Sequence, residues 1–184
     1  MFTEALIAGS CFSTSANAHR HRFKLEKRKV LMPKLKEGQE APDFEALDTN
    51  GNKVKLSDFK GKKVILYFYP KDDTPGCTKE ACSLRDGFSE LKKVGMVVLG
   101  VSKDSIESHQ KFTKKFNLPF QLLADTDKKI VKAYGVYGDK SFMGRIFKGI
   151  KRTTFLIDEK GKIAKILDNV NCETHAQDIL EMWK

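Results

Sequence analysis

Cys77 and Cys82 stand five residues apart in the run Thr74-Pro75-Gly76-Cys77-Thr78-Lys79-Glu80-Ala81-Cys82. The run follows Val64-Ile65-Leu66-Tyr67-Phe68-Tyr69, an apolar stretch that reads as a buried strand. Thr74 suits the N-cap of a helix and Pro75 its first position, so Cys77 falls in the first helical turn. Unpaired N–H groups and the positive end of the macrodipole favour an anion there. A cysteine so placed leans toward the thiolate, its nucleophilic form. An ordinary cysteine is a small buried hydrophobe, but here strand, cap, proline and a second cysteine coincide, and together they point to thiol redox chemistry. Zinc is the weaker reading, because the spacing is not a usual ligand pair and no second Cys/His pair completes four ligands.

The same residues resemble the peroxiredoxins. Tyr67-Phe68-Tyr69-Pro70-Lys71, Thr74-Pro75-Gly76-Cys77-Thr78 and Ala81-Cys82 are similar to the bacterioferritin comigratory protein and peroxiredoxin Q subgroup. A second block matches in the same order: Tyr137-Gly138-Asp139-Lys140-Ser141-Phe142-Met143-Gly144, then Gly149 to Asp158. The resemblance runs from about Leu35 to Trp183. It implies a thiol-dependent peroxidase acting on hydrogen peroxide and organic hydroperoxides. Cys77 would be the peroxidatic cysteine, oxidised to a sulfenic acid. Cys82 would resolve it as an intramolecular disulfide, and thioredoxin would reduce that disulfide.

Around the sulfur, the resemblance assigns Thr74 as a hydroxyl donor and Arg152 as the cation that stabilises the thiolate and the developing charge. Pro70 would shield the sulfur and Gly76 would keep the turn accessible. Lys151, beside Arg152, is the competing cation. Glu80 and Arg85 share the helix and either orient neighbours or form surface pairs. No metal, flavin or nicotinamide cofactor is implied, and a monomer is expected because both cysteines lie on one chain. On an intact helix, residues five apart have Cα atoms about 8 to 9 Å apart. Disulfides rarely bridge more than about 7 Å, so resolution requires local unwinding.

Three other classes compete. A general thiol–disulfide oxidoreductase would carry Cys-x-x-Cys, which this pair is not. A peroxide-sensing relay or holdase would oxidise without efficient turnover. A basic binding protein is suggested only by charge: 34 Lys and Arg against 24 Asp and Glu, a formal net of +10. Residues 1–31 hold six of the basic residues and two acids, and elsewhere the lysines are interspersed with acids. No nucleic-acid motif accompanies them, so no specific nucleic acid is expected.

The 184 residues are 40% apolar, which suits one domain with a sizeable core. No apolar run approaches the roughly 20 residues of a membrane span. Four cysteines in such a chain do not describe a secreted disulfide scaffold, and the cytoplasm is the expected compartment. Residues 1–31 read as a basic, disordered tail, or alternatively as an organellar transit peptide. Residues 32–184 read as a single domain.

The elements that must position the site follow from periodicity and turn chemistry. Asn50-Gly51 marks a hairpin. Val64–Tyr69 is a central strand, and a helix runs from about Pro75 to Lys92, interrupted near Gly87. Met96–Val101 is a strand, Ser105–Phe116 a helix capped by Ser102, Asp104 or Ser105, and Phe120–Ala124 a strand. Lys128–Tyr134 is helical. Thr153–Asp158 and Lys162–Leu167 form a second hairpin. Glu173–Trp183 closes the chain as a helix with Ile179, Leu180 and Trp183 facing inward. This is an α/β pattern with a mixed central sheet, helices on its faces and an N-terminal β-hairpin; the resemblance narrows it to a thioredoxin-like fold. Cys172 reads as a half-buried residue at a helix start, and His109 as lying on a solvated helix face.

Overall fold

The computed structural model describes residues 34–142 and 144–183. The tail and the alternative transit peptide fall on residues outside that range. β1 (Glu45–Asp48) and β2 (Lys53–Lys55) pair antiparallel across the Asn50-Gly51 turn. Gly51 closes that turn at φ 80°, a left-handed conformation that suits glycine. A short 3-10 turn, Leu56–Phe59, leads into β3 (Lys63–Phe68). Next come α1 (Pro75–Asp86), α2 (Phe88–Lys93), β4 (Met96–Ser102), α3 (Ile106–Phe116), β5 (Gln121–Ala124) and α4 (Lys129–Ala133). The chain ends with β6 (Tyr137–Phe142), β7 (Arg145–Ile150), β8 (Thr153–Ile157), β9 (Ile163–Asp168) and α5 (His175–Met182).

Seven strands form one mixed sheet in the order β2-β1-β5-β4-β3-β8-β9. β3, β4 and β5 run parallel, while β1 and β8 join antiparallel. Both faces of β3 are buried, which explains its unbroken apolar sequence. Val64, Leu66 and Phe68 enter one core, with Leu99, Ile130, Val131 and Tyr134. Ile65, Tyr67 and Tyr69 enter the other, under α1, α2, α3 and α5, with Cys77, Leu84, Leu91, Phe112 and Ile179. Among the described residues no helix is long and apolar enough to cross a membrane.

Local chemistry sets the helix ends that matter to the site. Thr74 occupies the N-cap of α1 with extended dihedrals, and Pro75 begins the helix. Gly87 separates α1 from α2; a Cβ there would lie 2.5 Å from Ala176 Cβ, so glycine admits α5 against the break. Of the three candidate caps of α3, Ser105 is the one used: its hydroxyl accepts from the Ser108 N–H. α5 begins at His175, with Ile179 fully buried and Leu180 and Trp183 partly buried against the core.

Two features differ from the sequence reading. The β6–β7 hairpin was not assigned as strands; its glycines and lysines offer no alternating buried stripe, and residues 144–148 are exposed. His109 does not lie on a solvated face. It is fully buried on α3, three residues before the equally inward Phe112. Its polar ring is tolerated there because Asp72 supplies a partner.

Packing between the strands turns on Gly100 in β4. A Cβ at this position would lie 2.6 Å from Leu122 Cδ2 and 2.7 Å from the Tyr67 ring. Gly100→Ala should therefore destabilise the fold by about 1–3 kcal/mol, the usual range for overpacking. Urea unfolding reads this directly, and an unchanged midpoint would mean that the Tyr67 ring is free to move away.

Candidate active site

Cys77 is the third residue of α1, only 2% exposed. By helix geometry the N–H groups of Gly76 and Cys77 precede the first intrahelical bond, which Thr78 makes to the Thr74 carbonyl at 2.8 Å. The sulfur therefore lies at the electropositive end of the helix. Arg152, immediately before β8, donates from Nη2 to Cys77 Sγ at 3.3 Å. Its Nη1 donates to Glu80 Oε2 on the next turn of α1. Glu80 is fully buried, while the Arg152 side chain keeps a fifth of its surface exposed.

One guanidinium thus bridges the thiol and a buried carboxylate. Burial works against the Arg152 cation, but Glu80 and the Cys77 sulfur outweigh it, and the group stays charged. Burial pushes Glu80 the other way, up to about 7, against the opposing pull of Arg152. A fixed cation beside the sulfur can meet negative charge as it develops there and offers a second donor to an oxygen approaching it.

The remaining expected residues take various places. A Cβ on Gly76 would lie 3.3 Å from Arg152 Nη2, so the missing side chain lets the guanidinium close on the sulfur. Thr74 sits at the N-cap, but its hydroxyl makes no cap bond; it donates to the Lys71 carbonyl at 3.1 Å. Pro70 follows Tyr69, whose N–H makes a further bond to the Val101 carbonyl, and it is half-buried. Lys151 is exposed. Arg85 pairs with Asp86 and donates to the Phe116 carbonyl. Cys82 is a free, half-buried thiol on the same uninterrupted helix as Cys77. Cys172 is also free and half-buried, and burial pushes its thiol up.

Sequence reasoning left Glu80 between two roles and missed the polar lock on the approach to α1. In α1, Cys77, Glu80, Ala81 and Leu84 form one inward stripe. A carboxylate at i+3 in such a stripe signals a paired buried charge, and that signal was available. The lock is less local. Asp72 Oδ1 accepts from Tyr69 Oη at 2.7 Å, and Oδ2 accepts from Ser108 Oγ at 2.7 Å and faces His109 Nδ1 at 2.9 Å. The Asp72 N–H donates to Asp104 Oδ2 at 2.7 Å. α3 and the loop before it thereby pin the segment that delivers Thr74 and Cys77. Asp73 turns that segment into the helix at φ 52°, and Lys115 binds its carboxylate.

Comparison with known proteins gives a consistent result. The AhpC/TSA family model matches residues 37–166. The putative peroxiredoxin bcp of Coxiella burnetii is 54% identical over 143 residues, which cover 78% of this chain and 95% of the relative. Peroxiredoxin Bcp of Escherichia coli is 47% identical over 152 residues, covering 83% and 97%. The solved bacterioferritin comigratory protein of Xanthomonas campestris, described for its alkyl peroxide reduction activity, superposes with a TM-score of 0.74. It shares 32% identity over 80% of this chain and 96% of that one. These neighbours carry the thioredoxin-like peroxiredoxin fold, in agreement with the fold expected from the sequence.

The Asp72 lock has a pH signature. Burial acts to raise its carboxyl, but hydrogen bonds from His109, Ser108 and Tyr69 and the charge of His109 prevail, holding it below its ordinary 3.8. A carboxyl depressed on folding contributes stability above the unfolded value, lost as pH falls through the folded one. Asp72→Asn should be less stable than wild type by about 1–3 kcal/mol near neutrality, and the gap should narrow below about pH 4. Urea unfolding across pH 2.5–7 measures it; a gap that does not change with pH would make the lock one of packing rather than charge.

Proposed function

The chain belongs to the AhpC/TSA family of peroxiredoxins, in its Bcp and peroxiredoxin Q group, and from that premise we propose that Cys77 is the peroxidatic cysteine of an atypical two-cysteine, thioredoxin-dependent peroxidase. The family makes the protein a peroxidase. The observation that carries the finer reading is the Arg152 guanidinium 3.3 Å from a buried sulfur at a helix N-terminus.

The Cys77 thiolate attacks the terminal oxygen of a hydroperoxide. An S–O bond forms, the O–O bond breaks, and the sulfur is oxidised by two electrons. The leaving alkoxide or hydroxide takes a proton and departs as alcohol or water. Arg152 and the N–H groups of the first turn stabilise the negative charge as it moves from sulfur to oxygen. Both hydrogen peroxide and alkyl hydroperoxides fit this chemistry, and the activity described for the Xanthomonas relative supports the second class. The Thr74 hydroxyl reaches the peroxide only by leaving the Lys71 carbonyl. Pro70 and Gly76 shape the approach.

Cys82 then attacks the Cys77 sulfenic sulfur. A disulfide forms and the sulfenic oxygen leaves as water. A thioredoxin dithiol reduces the disulfide and is itself oxidised. Both cysteines sit on one helix, so a monomer suffices and residues 32–184 form the working domain, with residues 1–31 a tail outside it. The need for a reduced thioredoxin pool fits the cytoplasm.

α1 runs unbroken through both cysteines in the dithiol form. Ideal helix geometry leaves their Cα atoms about 8 to 9 Å apart, beyond the roughly 7 Å a disulfide tolerates. The first turns must therefore unwind before Cys82 can attack.

Hydroperoxide consumption with thioredoxin, thioredoxin reductase and NADPH tests the reading. Cys77→Ser should abolish turnover. Cys82→Ser should keep the first oxidation of Cys77 yet fail to recycle through thioredoxin. A wild-type chain whose Cys77 thiol survives excess peroxide would sink the proposal, whereas thiol loss without turnover would favour a sensor. In the disulfide form, amide hydrogen exchange across residues 75–83 should lose the protection seen in the dithiol form; retained protection would mean that the helix does not open.

A further inference from the structure

His175 lies at the start of α5, nearly a hundred residues from Cys77, and its side chain is fully buried. Its Nε2 faces Thr154 Oγ1 on β8 at 3.1 Å. Its Nδ1 faces Glu80 Oε1 at 3.4 Å. Among the described residues, neither Nδ1 nor Oε1 has another hydrogen-bond partner. Two buried polar atoms left unpaired are costly, and one hydrogen between them satisfies both.

We propose that His175 is a positioning residue for Cys77 chemistry, holding the Glu80–Arg152 pair in place through a buried relay from Thr154 to the reactive sulfur. The inference rests on the peroxidase reading of Cys77. In the neutral and alkaline range, the Thr154 hydroxyl donates to Nε2, Nδ1–H donates to Glu80 Oε1, and Arg152 donates to Oε2 and to the sulfur. When Glu80 takes up a proton, its O–H donates to Nδ1 and the imidazole carries its hydrogen on Nε2, toward Thr154. A neutral imidazole fits either state by changing tautomer. Glu80 can thus gain or lose a proton with Nδ1 and Oε1 paired to each other in both states.

The surroundings support a neutral ring. Burial and the nearby Arg152 cation push His175 down to about 4. Glu80, raised to about 7, is the partner that changes charge. Tyr67 on β3 is held well above its usual range by burial, and the Cys172 thiol is also raised. Lys79 and Glu173 pair with each other at 2.6 Å on the exposed side. Among these groups, Glu80 is the one raised to about 7.

Removing the ring donor isolates this role. His175→Leu leaves Oε1 without a donor, so Glu80 holds its proton to higher pH and grips Arg152 less firmly. Raising Glu80 by about one pKa unit from about 7 cuts its ionised fraction at pH 7 from about a half to about a tenth. The single-turnover rate of Cys77 oxidation by hydrogen peroxide should fall about fivefold at pH 7 and recover toward wild type near pH 9. His175→Asn should restore most of the rate, because its amide group stands as many bonds from Cβ as Nδ1 does and can donate or accept. Urea unfolding confirms that each variant is folded.

A Leu variant with the wild-type pH profile overturns the proposal. So does an Asn variant as impaired as Leu, since packing alone would then explain both. If Leu does not fold, nitrogen NMR of the wild-type imidazole still decides: Nδ1–H is expected above pH 8, and hydrogen on Nε2 there overturns the relay. Wild-type protein that fails to lose its Cys77 thiol overturns the peroxidase reading, and the relay's part in it. Normal wild-type reaction beside an unaffected Leu variant overturns the relay alone.

Discussion

Arg152 has to reach two groups at once, a sulfur in the first turn of α1 and the carboxylate of Glu80 one turn further on. A planar guanidinium with donors in a fixed fork meets that demand, and a lysine ammonium on a flexible stem does not. Much of the fold can be read from this requirement. β8 must lie beside β3, since Arg152 precedes Thr153 and Thr153 pairs with Phe68 at the end of β3. The chain leaving β3 must then return over that edge as a helix, so that its N-terminus meets the guanidinium. Gly76 must lack a side chain where Nη2 passes.

On the proposed mechanism, the helix that carries Cys77 serves two opposed needs. Charge stabilisation needs the first turn held rigid, and disulfide formation needs it to open. The contacts are distributed accordingly. Upstream, Tyr69, Ser108, His109 and Asp104 hold Asp72 through buried or half-buried hydrogen bonds. These lie before Thr74 and need not break when α1 unwinds. Along the helix itself the ties are mixed: the Arg152 guanidinium on Cys77 and the buried Glu80, an exposed Lys79–Glu173 pair, and a 3.3 Å bond from the Ala176 N–H to Ser83 Oγ. Exposed pairs contribute little to stability, so the contacts that opening the reactive turn must give up are those of Arg152 with Cys77 and Glu80.

How much of this was legible in the sequence depended on the range of the interaction. The N-cap at Thr74, proline at the first helical position, the Gly51 turn and the doubly buried β3 are local facts, and each could be read from a few neighbouring residues. The Thr74 side chain was less legible, because its hydroxyl turns to the Lys71 carbonyl instead of the helix. Arg152 was chosen over Lys151 only by family resemblance, as nothing in its own neighbourhood marks it. His109 was misplaced because one helix turn does not reveal that a carboxylate from another loop waits beneath it. The β6–β7 hairpin escaped because both strands lie largely in solvent, where no hydrophobic period is required.

Two buried carboxylates flank the face of β3 that bears Tyr67 and Tyr69, whose rings stack at 5.4 Å between centroids. Asp72 is held below its ordinary value, while Glu80 is raised to about 7. Burial alone would raise both. They diverge through the donors each one finds. Asp72 is met by a hydroxyl on each oxygen and by the His109 ring, enough to keep the charge in place across the working pH range. Glu80 has one charged donor on one oxygen, shared with the sulfur, and on the other only the His175 ring at 3.4 Å. A fully satisfied carboxylate suits a structural lock, whose state should not change. A carboxylate poised near neutrality suits the proposed reacting centre, where charge on sulfur, guanidinium and carboxylate would be redistributed in every cycle. The same side-chain chemistry, a few residues apart in the sequence, is thus divided between holding the loop and tuning the thiol.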